Sequence, residues 1–195
     1  MSVPYFGQEL RVISDVPRWG IVRTLGRQCV AEHSYFVAFY TSQICRFLKI
    51  NTNTTIECVN YALWHDQDEA ATGDIPGVAK RYILNETKYR EFLQKSKDLL
   101  FGGDGPISSS EATRLIVKLA DVVDECFFMA GEYRLGNVSG PEQILDRSLH
   151  ILDRTITKLS AFYPKELCSS LSEVLWDEIN RAVVSGPKLP VFDGE

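Results

Sequence analysis

At 195 residues, the chain is long enough to form one domain with a substantial core, and its apolar content of 45% is typical of a soluble globular protein. Its net charge is −5 and it has no stripe of clustered Lys and Arg, which does not favour binding to a nucleic-acid polymer. No apolar stretch reaches about 18 residues, so we expect no transmembrane helix and no membrane partner.

Apolar residues recur at helical spacing through most of the first half of the chain. The pattern predicts helices over residues 28–49 and 55–71, followed by a helix that begins near Gly77, after Pro76. A charged helix is predicted over residues 86–100. The first half therefore contains four predicted helices.

The second half begins after a break rich in glycine. One of the serines at 108–110 is expected to cap a helix that extends to about Gly131. Residues 136–141 are predicted to form a loop, and two further helices follow over residues 142–161 and 165–184.

The sequence contains no strand pattern of any length and neither of the glycine-rich loops typical of dinucleotide and Walker phosphate sites. We therefore predict an all-α fold, with one globular domain of six or seven helices over residues 1–185. Residues 186–195 are expected to form an extended C-terminal tail.

The cysteines and the N-terminus bear on cellular location. The five cysteines are odd in number, widely spaced and without a C-x-x-C pair. We interpret them as reduced thiols rather than as a disulfide or zinc framework. The first residues lack the charged and then apolar pattern of a signal peptide. These observations predict a cytoplasmic protein.

An imidazole and several carboxylates lie within ten residues, at the predicted end of the second helix. His65 and Glu69 are four residues apart and would share a helix face, while Asp66 lies about 100° around the helix from His65. A cation held by His65 and Asp66 would have Glu69 as a close neighbour. This arrangement suits a hydrolytic metal site with one carboxylate left to move protons.

Two residues elsewhere complete the predicted ligand set. His33 lies early in the first long helix, and Asp121 is a carboxylate among apolar neighbours, which must be paired or bound to a metal when buried. Asp124, one turn further along, is the alternative to Asp121. Two imidazoles and two carboxylates suit Zn, Mn, Co, Ni or Fe(II) rather than Ca.

The order of these residues resembles the H…HD…D pattern of the HD-domain phosphohydrolases, which are all-α proteins. Further motifs make the chain similar to the 5'-deoxynucleotidase branch of that superfamily, including small phage dATP triphosphohydrolases. These motifs are Arg18-Trp19, Glu32-His33-Ser34, His65-Asp66-x-x-Glu69, Thr72-Gly73-Asp74-Ile75-Pro76 and Lys80. The resemblance covers residues 18 to about 121.

The resemblance implies a cofactor and a ligand set. One divalent metal, Zn, Co or Mn, would be held by His33, His65, Asp66 and Asp121. Glu69 would be the general acid/base beside the attacking water.

The resemblance also implies how a substrate is held. Arg18 would contact phosphate, and Trp19 would form a wall of the sugar and base pocket. Asp74 would support the catalytic water or the sugar, and Lys80 would meet further phosphate. In the phage group a Trp-x-Ile pair brackets adenine. Because Trp19 and Ile21 have this spacing, Ile21 would crowd a purine 2-amino group.

The expected activity is hydrolysis of the 5'-phosphoester of a 2'-deoxynucleotide by attack of water at the α-phosphorus, releasing phosphate or triphosphate. The resemblance further implies a homo-oligomer, a dimer or a hexamer, in the cytosol of a bacterium or of a phage-infected host. The alternatives are a non-catalytic nucleotide-sensing protein and a (p)ppGpp or cyclic-nucleotide phosphodiesterase.

Structural interpretations of the same residues remain open at this point. His33 could be a core histidine, and Trp19 could pack in the core. Arg18 could form a surface ion pair, and Asp74 could cap the helix after Pro76. His150, on an amphipathic helix, is interpreted as structural.

Overall fold

The computed structural model describes residues 8–77, 79, 86–101 and 109–186. Over these residues the protein is all-α, and the only β feature there is an isolated antiparallel bridge between Pro17 and Cys29. The elements are a 3-10 helix at Gln8–Ser14, α1 at Val30–Phe47, α2 at Thr52–Trp64, α3 at Glu69–Thr72, α4 at Glu86–Phe101, α5 at Glu111–Arg134, α6 at Ser139–Leu159 and α7 at Lys165–Val184. The predicted all-α fold is confirmed.

Local side-chain hydrogen bonds set where α1 and α5 begin. Cys29 and Glu32 form a capping box, in which the Glu32 carboxylate accepts from the Cys29 N–H at 2.9 Å. Ser110 is the N-cap of α5, and its hydroxyl accepts from the Thr113 N–H at 3.0 Å. One of the three serines predicted to cap this helix therefore does so.

The core is organised around α5, which packs against α1, α2, α6 and α7. Its length is about 36 Å, enough to cross the whole domain. Burying each large aliphatic side chain contributes about 1.5–3 kcal/mol. The large apolar residues of α5 that are fully or almost fully buried are Ile116, Val117, Leu119, Val122, Val123 and Met129. A polar residue that is buried between these positions, such as Asp124, is consequently held by the packing around it.

The prediction of one continuous helix over residues 55–71 is wrong. Helix α2 ends at Trp64, a turn covers residues 65–68, and the short α3 begins at Glu69. The ring of His65 bonds to the carbonyl of Ala62 at 2.6 Å, which is the acceptor that residue 66 would use in a continued helix. His65 and Glu69 are therefore brought together by a turn rather than by one helix face.

Two other differences concern the borders of elements. The predicted loop at 136–141 is shorter, because α6 already begins at Ser139 and Pro141 lies in its first turn, where no N–H is required. Most of the helix predicted after Gly77, the tail from residue 187 onward and Lys80 lie outside the described residues. None of the described helices is long and apolar enough to cross a bilayer.

A loop at residues 17–29, called here the Trp19 loop, precedes α1 and is closed at its base by backbone pairing. The Arg18 N–H donates to the Gln28 carbonyl at 2.9 Å, and the Val30 N–H donates to the Val16 carbonyl at 3.0 Å. Trp19 itself has φ of +68°, a left-handed conformation that is uncommon for a residue with a side chain. The loop therefore needs specific contacts to hold its indole in place.

Candidate active site

The four predicted metal ligands come from three parts of the fold and meet in one place, called here the ligand cluster. His33 projects from α1, Asp121 from α5, and His65 and Asp66 from the turn after α2. His33 Nε2 lies 3.3 Å from Asp121 Oδ1 and 3.5 Å from Asp66 Oδ2. His65 Nε2 lies 3.3 Å from the same Asp66 oxygen. His33, His65 and Asp121 each offer a ligand atom within 4.8 Å of the others.

The Nδ1 atom of each histidine makes a hydrogen bond to a protein oxygen, and this determines which protonation states are open to Nε2, the nitrogen that faces the cluster. His33 Nδ1 donates to Asp124 Oδ2 at 2.6 Å, and His65 Nδ1 donates to the Ala62 carbonyl at 2.6 Å. In the neutral ring each Nε2 is then the acceptor, with its lone pair directed at the cluster. Both Nε2 atoms are buried, and no described residue gives either of them a hydrogen bond. A divalent cation fits these donors, because it would satisfy both lone pairs at once.

The two candidate aspartates of α5 occupy different positions. Asp121 faces Nε2 of His33, and its second oxygen accepts from Lys118 Nζ at 2.7 Å. Asp124 lies on the opposite side of the imidazole, where it orients the ring through Nδ1. This geometry favours Asp121 over Asp124 as the ligand.

Charges in the cluster are strongly coupled. Burial lowers the pKa of His33, but its contacts with Asp121, Asp124 and Asp66 outweigh burial and raise that pKa to about 10. The pKa of His65 is also raised, because its attraction to Asp66 outweighs the effect of burial. The pKa of Asp66 is held well below its usual range, since the neighbouring histidines outweigh its own burial. A cation that binds here has to displace protons from the imidazoles.

Arg18 and Trp19 lie beside the cluster. Arg18 Nη1 donates to Asp66 Oδ2 at 3.4 Å, while Arg18 Nε is buried and has no hydrogen-bond partner within the described part of the chain. The Trp19 N–H donates to Asp74 Oδ2 at 3.0 Å, which holds the left-handed backbone in place. The Trp19 ring stacks on Phe128, with centroids 5.5 Å apart and the planes 6° from parallel.

A cavity of about 760 Å³ opens over the ligand cluster. Asp66, Asp121 and the buried carboxylate of Glu69 lie on one side of it. Arg147, His150 and Arg154 line another side, and they form what is called here the α6 wall. Their spacing of three and four residues places them on one face of α6.

A smaller cavity of about 170 Å³ lies beside the large one and shares Arg18, Asp74 and Arg147 with it. Trp19 and Ile21 line this smaller cavity. Ile21 is 72% exposed, so it stands at the rim rather than in the interior. The two cavities together offer a polar chamber over the ligand cluster and a partly apolar one beside it.

Of the ten predicted site residues, only Lys80 lies outside the described part of the chain, and the other nine meet around the two cavities. Sequence reasoning did not identify Gln28 or the arginines of the α6 wall, and it assigned His150 a structural role. His150 lines the large cavity and is exposed. The i, i+3, i+7 spacing of the α6 wall was the signal available in the sequence.

A family model described as 5'-deoxynucleotidase YfbR-like matches residues 5–170 of the chain. The chain belongs to this family. The branch of HD-domain phosphohydrolases expected from the sequence motifs is thereby confirmed.

Two proteins with assigned activities are similar to this chain over part of their length. The dATP triphosphohydrolase of Acinetobacter phage SH-Ab 15497 is 32% identical over 128 residues, which are 59% of this chain and 62% of that protein. A 5'-deoxynucleotidase of Enterobacter sp. (strain 638) is 28% identical over 153 residues, which are 70% of this chain and 77% of that protein.

A solved structure shares the fold of this YfbR-like protein. The HD phosphohydrolase of cyanophage S-2L, bound to dA and one catalytic Zn²⁺ ion, matches with a TM-score of 0.70 at 19% identity. The match covers 93% of this chain and 99% of the cyanophage protein. The helical architecture is therefore that of an HD-domain phosphohydrolase.

Proposed function

We propose that the protein is a divalent-metal-dependent phosphohydrolase that cleaves the 5'-phosphoester of 2'-deoxynucleotides, by attack of water at the α-phosphorus. The observation that carries this proposal is the pair of buried Nε2 atoms of His33 and His65, which face two carboxylates at the edge of a large cavity. The activities assigned to the phage and Enterobacter relatives support the same reaction.

His33, His65, Asp66 and Asp121 hold the cation, which is Zn, Co or Mn. When bound, a cation of this kind lowers the pKa of a coordinated water and polarises a phosphoryl oxygen. The Zn²⁺ ion of the cyanophage structure and the imidazole-carboxylate donor set support this choice of metals.

Glu69 moves the proton in this reaction. Its carboxylate is buried, lines the large cavity and stands at the start of α3, directly after the turn that carries His65 and Asp66. From this position it accepts the proton of the attacking water and returns a proton to the leaving 5'-oxygen. General acid/base catalysis of this kind contributes about 10²–10⁴-fold to the rate.

Arg18 and the Trp19 loop hold the substrate. The Arg18 guanidinium lines both cavities and lies beside the cluster, with Nη1 on Asp66, where it would meet a phosphate oxygen. Trp19 and Ile21 enclose the base and sugar in the smaller cavity, with Asp74 supporting the loop and the sugar edge. We assign Lys80 to further phosphate contact on the strength of the family motif.

The size of the large cavity and the arginines on its α6 side support a substrate with more than one phosphate. Arg147 and Arg154 face it from the α6 wall, and Lys118 lines it from α5. These cations lie beyond the ligand cluster, where the β- and γ-phosphates of a triphosphate would extend once the α-phosphate is at the metal. We therefore propose that a deoxynucleoside triphosphate is accepted as well as a monophosphate.

The proposal includes a cytoplasmic location and self-association as a dimer or hexamer. All five cysteines are free thiols, which supports a reducing compartment. Tyr35, Phe36 and Phe39 are exposed on α1, and exposed aromatic residues of this kind are typical of contacts between subunits.

A panel of substrates tests the proposed function. The protein is incubated with dNMPs, dNTPs and NTPs in the presence of Co²⁺, Mn²⁺, Zn²⁺ or Mg²⁺, and the products are separated by chromatography. Deoxynucleoside with phosphate from dNMPs, or deoxynucleoside with triphosphate from dATP, is the expected result. Turnover of (p)ppGpp or a cyclic nucleotide without turnover of any deoxynucleotide would contradict the proposal, as would binding without product under every metal.

A further inference from the structure

Three consecutive hydrogen bonds join the wall of the smaller cavity to the ligand cluster. The Trp19 indole Nε1 donates to Gln28 Oε1 at 3.0 Å, and Gln28 Nε2 donates to Asp124 Oδ2 at 2.8 Å. The same oxygen of Asp124 accepts from His33 Nδ1 at 2.6 Å. We propose that Gln28 is a positioning residue that couples nucleoside binding at Trp19 to metal binding at His33.

The chemistry of the partners permits only one orientation of the Gln28 amide. The indole N–H can only donate, so it requires the amide oxygen, and the Asp124 carboxylate accepts, so it requires the amide nitrogen. Asp124 in turn requires a proton on His33 Nδ1, so that in the neutral ring the lone pair of Nε2 is directed at Asp66 and Asp121. The three bonds therefore fix the tautomer and the ring orientation of a metal ligand.

The Gln28 side chain is not needed to close the Trp19 loop. Backbone bonds already do this, from the Arg18 N–H to the Gln28 carbonyl and from the Val30 N–H to the Val16 carbonyl. Gln28 and Asp124 are only 7% and 3% exposed, and a buried amide without partners is costly. The side chain is thus buried in order to make the two bonds to Trp19 and Asp124.

Coupling follows from the way each end of the chain of bonds is held. The indole is already stacked on Phe128, and a nucleoside packed against its edge or face would restrict it further. An indole with less freedom to move also limits the movement of the Gln28 amide. Through Asp124, this limits the rotation of the His33 imidazole. Because coupling between two binding sites is reciprocal, a cation on His33 would strengthen nucleoside binding by the same factor. This step rests on the proposed function, since it takes a deoxynucleoside to be the molecule that binds at Trp19.

Equilibrium dialysis of the full chain with Co²⁺, with and without saturating deoxyadenosine, tests the coupling. Gln28→Met keeps the length of the side chain and removes both hydrogen bonds. Trp19→Phe keeps an aromatic ring and removes the N–H that reaches Gln28 together with part of the ring surface, so the deoxyadenosine concentration is raised until this variant is saturated as well. Gln43→Met is the matched control, because Gln43 is exposed on α1 and lies away from both cavities.

We expect deoxyadenosine to tighten Co²⁺ binding to the wild-type protein about fivefold or more. Gln28→Met should weaken Co²⁺ binding alone by about three- to tenfold, less than the 10–100-fold usual when a group bonded directly to a ligand is lost, as Asp124 is, and should abolish the increase in affinity that deoxyadenosine produces. Trp19→Phe should retain most of the Co²⁺ affinity, but deoxyadenosine should no longer increase that affinity. Gln43→Met should behave as the wild type does.

Several outcomes would overturn the inference. Wild-type Co²⁺ affinity in Gln28→Met would do so whatever the substrate is, and so would a gain from deoxyadenosine that survives in Trp19→Phe. If Gln28→Met fails to fold, as judged by its far-UV spectrum and thermal transition, the gain in Trp19→Phe decides the question. Absence of any deoxyadenosine binding to Co²⁺-loaded wild type would contradict the proposed function, and the coupling with it.

Discussion

The ligand cluster and the Trp19 loop face the same space, but they are held in different ways. His33 and Asp121 project from α1 and α5, two helices that pack against each other in the core. The Trp19 loop is held by backbone pairing at its base, and by Asp74 against an unfavourable backbone angle, while Ile21 stands 72% exposed at its rim. We therefore expect the proposed chemistry to depend on the helical core, and the proposed selectivity to depend on the contacts of the loop.

The largest effect is expected where the cluster itself is broken. Asp66→Asn removes the charge that lies within 3.5 Å of both Nε2 atoms, so the protein should lose its metal. Turnover of the best deoxynucleotide should then fall by at least about 10³-fold, because activation of water is lost with the cation. Metal content by mass spectrometry and product release are the two measurements.

Asp177→Asn is the matched control for this change, since Asp177 is exposed on α7. It should retain both metal and activity. An Asp66→Asn protein that folds and keeps wild-type turnover would show that the cluster is not the catalytic site.

The proton-transfer role of Glu69 makes the next largest prediction. Glu69→Gln should lower kcat by about 10²–10⁴-fold and leave the metal content unchanged, because an amide cannot take up the proton. Steady-state kinetics combined with metal analysis measure the two quantities. Glu57→Gln, at an exposed position of α2, should change neither. Loss of the metal in Glu69→Gln would instead identify Glu69 as a ligand.

The charge of the cluster predicts a pH dependence of metal binding. Burial lowers the pKa of His33, but contacts with three aspartates outweigh it and raise that pKa from 6.5 to about 10. A cation must displace this proton, so metal affinity should increase as the pH rises from 6.5 towards 10, by about tenfold per pH unit for one proton released. In the metal-free protein, the stability of the fold depends on pH in the opposite direction. There, protonated His33 stabilises the fold fully below pH 6.5, and this contribution is lost as the pH rises through the raised pKa.

Competition with a chelator of known affinity, followed across this pH range, measures the metal dependence. Thermal unfolding of the EDTA-treated protein measures the stability of the metal-free fold, which should decrease over the same pH range. A metal affinity that does not change with pH would mean that His33 is already neutral before the cation binds.

The sequence indicated candidates for the ligand cluster, but the complete set was implied by the resemblance to the HD-domain pattern. Asp121 is a carboxylate among apolar helical neighbours, and such a residue needs a partner wherever the helix is buried. The break in the helix after Trp64 was not predictable in the same way. It coincides with one side-chain bond, from His65 to the Ala62 carbonyl, that periodicity does not reveal.

Contacts between distant positions account for what the sequence did not show. Gln28 meets Asp124 across 96 positions of the chain, and nothing near Gln28 in sequence indicates this. The spacing of Arg147, His150 and Arg154 is visible in the sequence, but the side of α6 that faces the cavity depends on how α6 packs against α5. Which distant residues come into contact depends on how the helices pack in the folded core.

The α6 wall gives a smaller and more specific prediction. Arg147→Gln should raise KM for dATP about two- to fivefold and leave KM for dAMP unchanged, because an exposed cation contributes about 0.2–1 kcal/mol to an ion pair. The ratio of the two KM values is the measurement. Arg46→Gln, at an exposed site on α1, is the control. Equal changes in KM for dATP and dAMP would mean that the α6 wall does not contact the β- and γ-phosphates.

The smallest effect is expected at the rim of the Trp19 loop. Ile21→Ala removes the side chain that would crowd a purine 2-amino group, so selectivity for dATP over dGTP should fall. A missing methylene in an enclosed pocket changes selectivity by about 10–200-fold, but Ile21 is 72% exposed, and we expect only about two- to fivefold. The ratio of kcat/KM for the two substrates measures it, with Ile56→Ala, 54% exposed on α2, as the control. A loss well beyond tenfold would mean that the loop closes over the base, whereas an unchanged ratio would leave Trp19 as the selective contact.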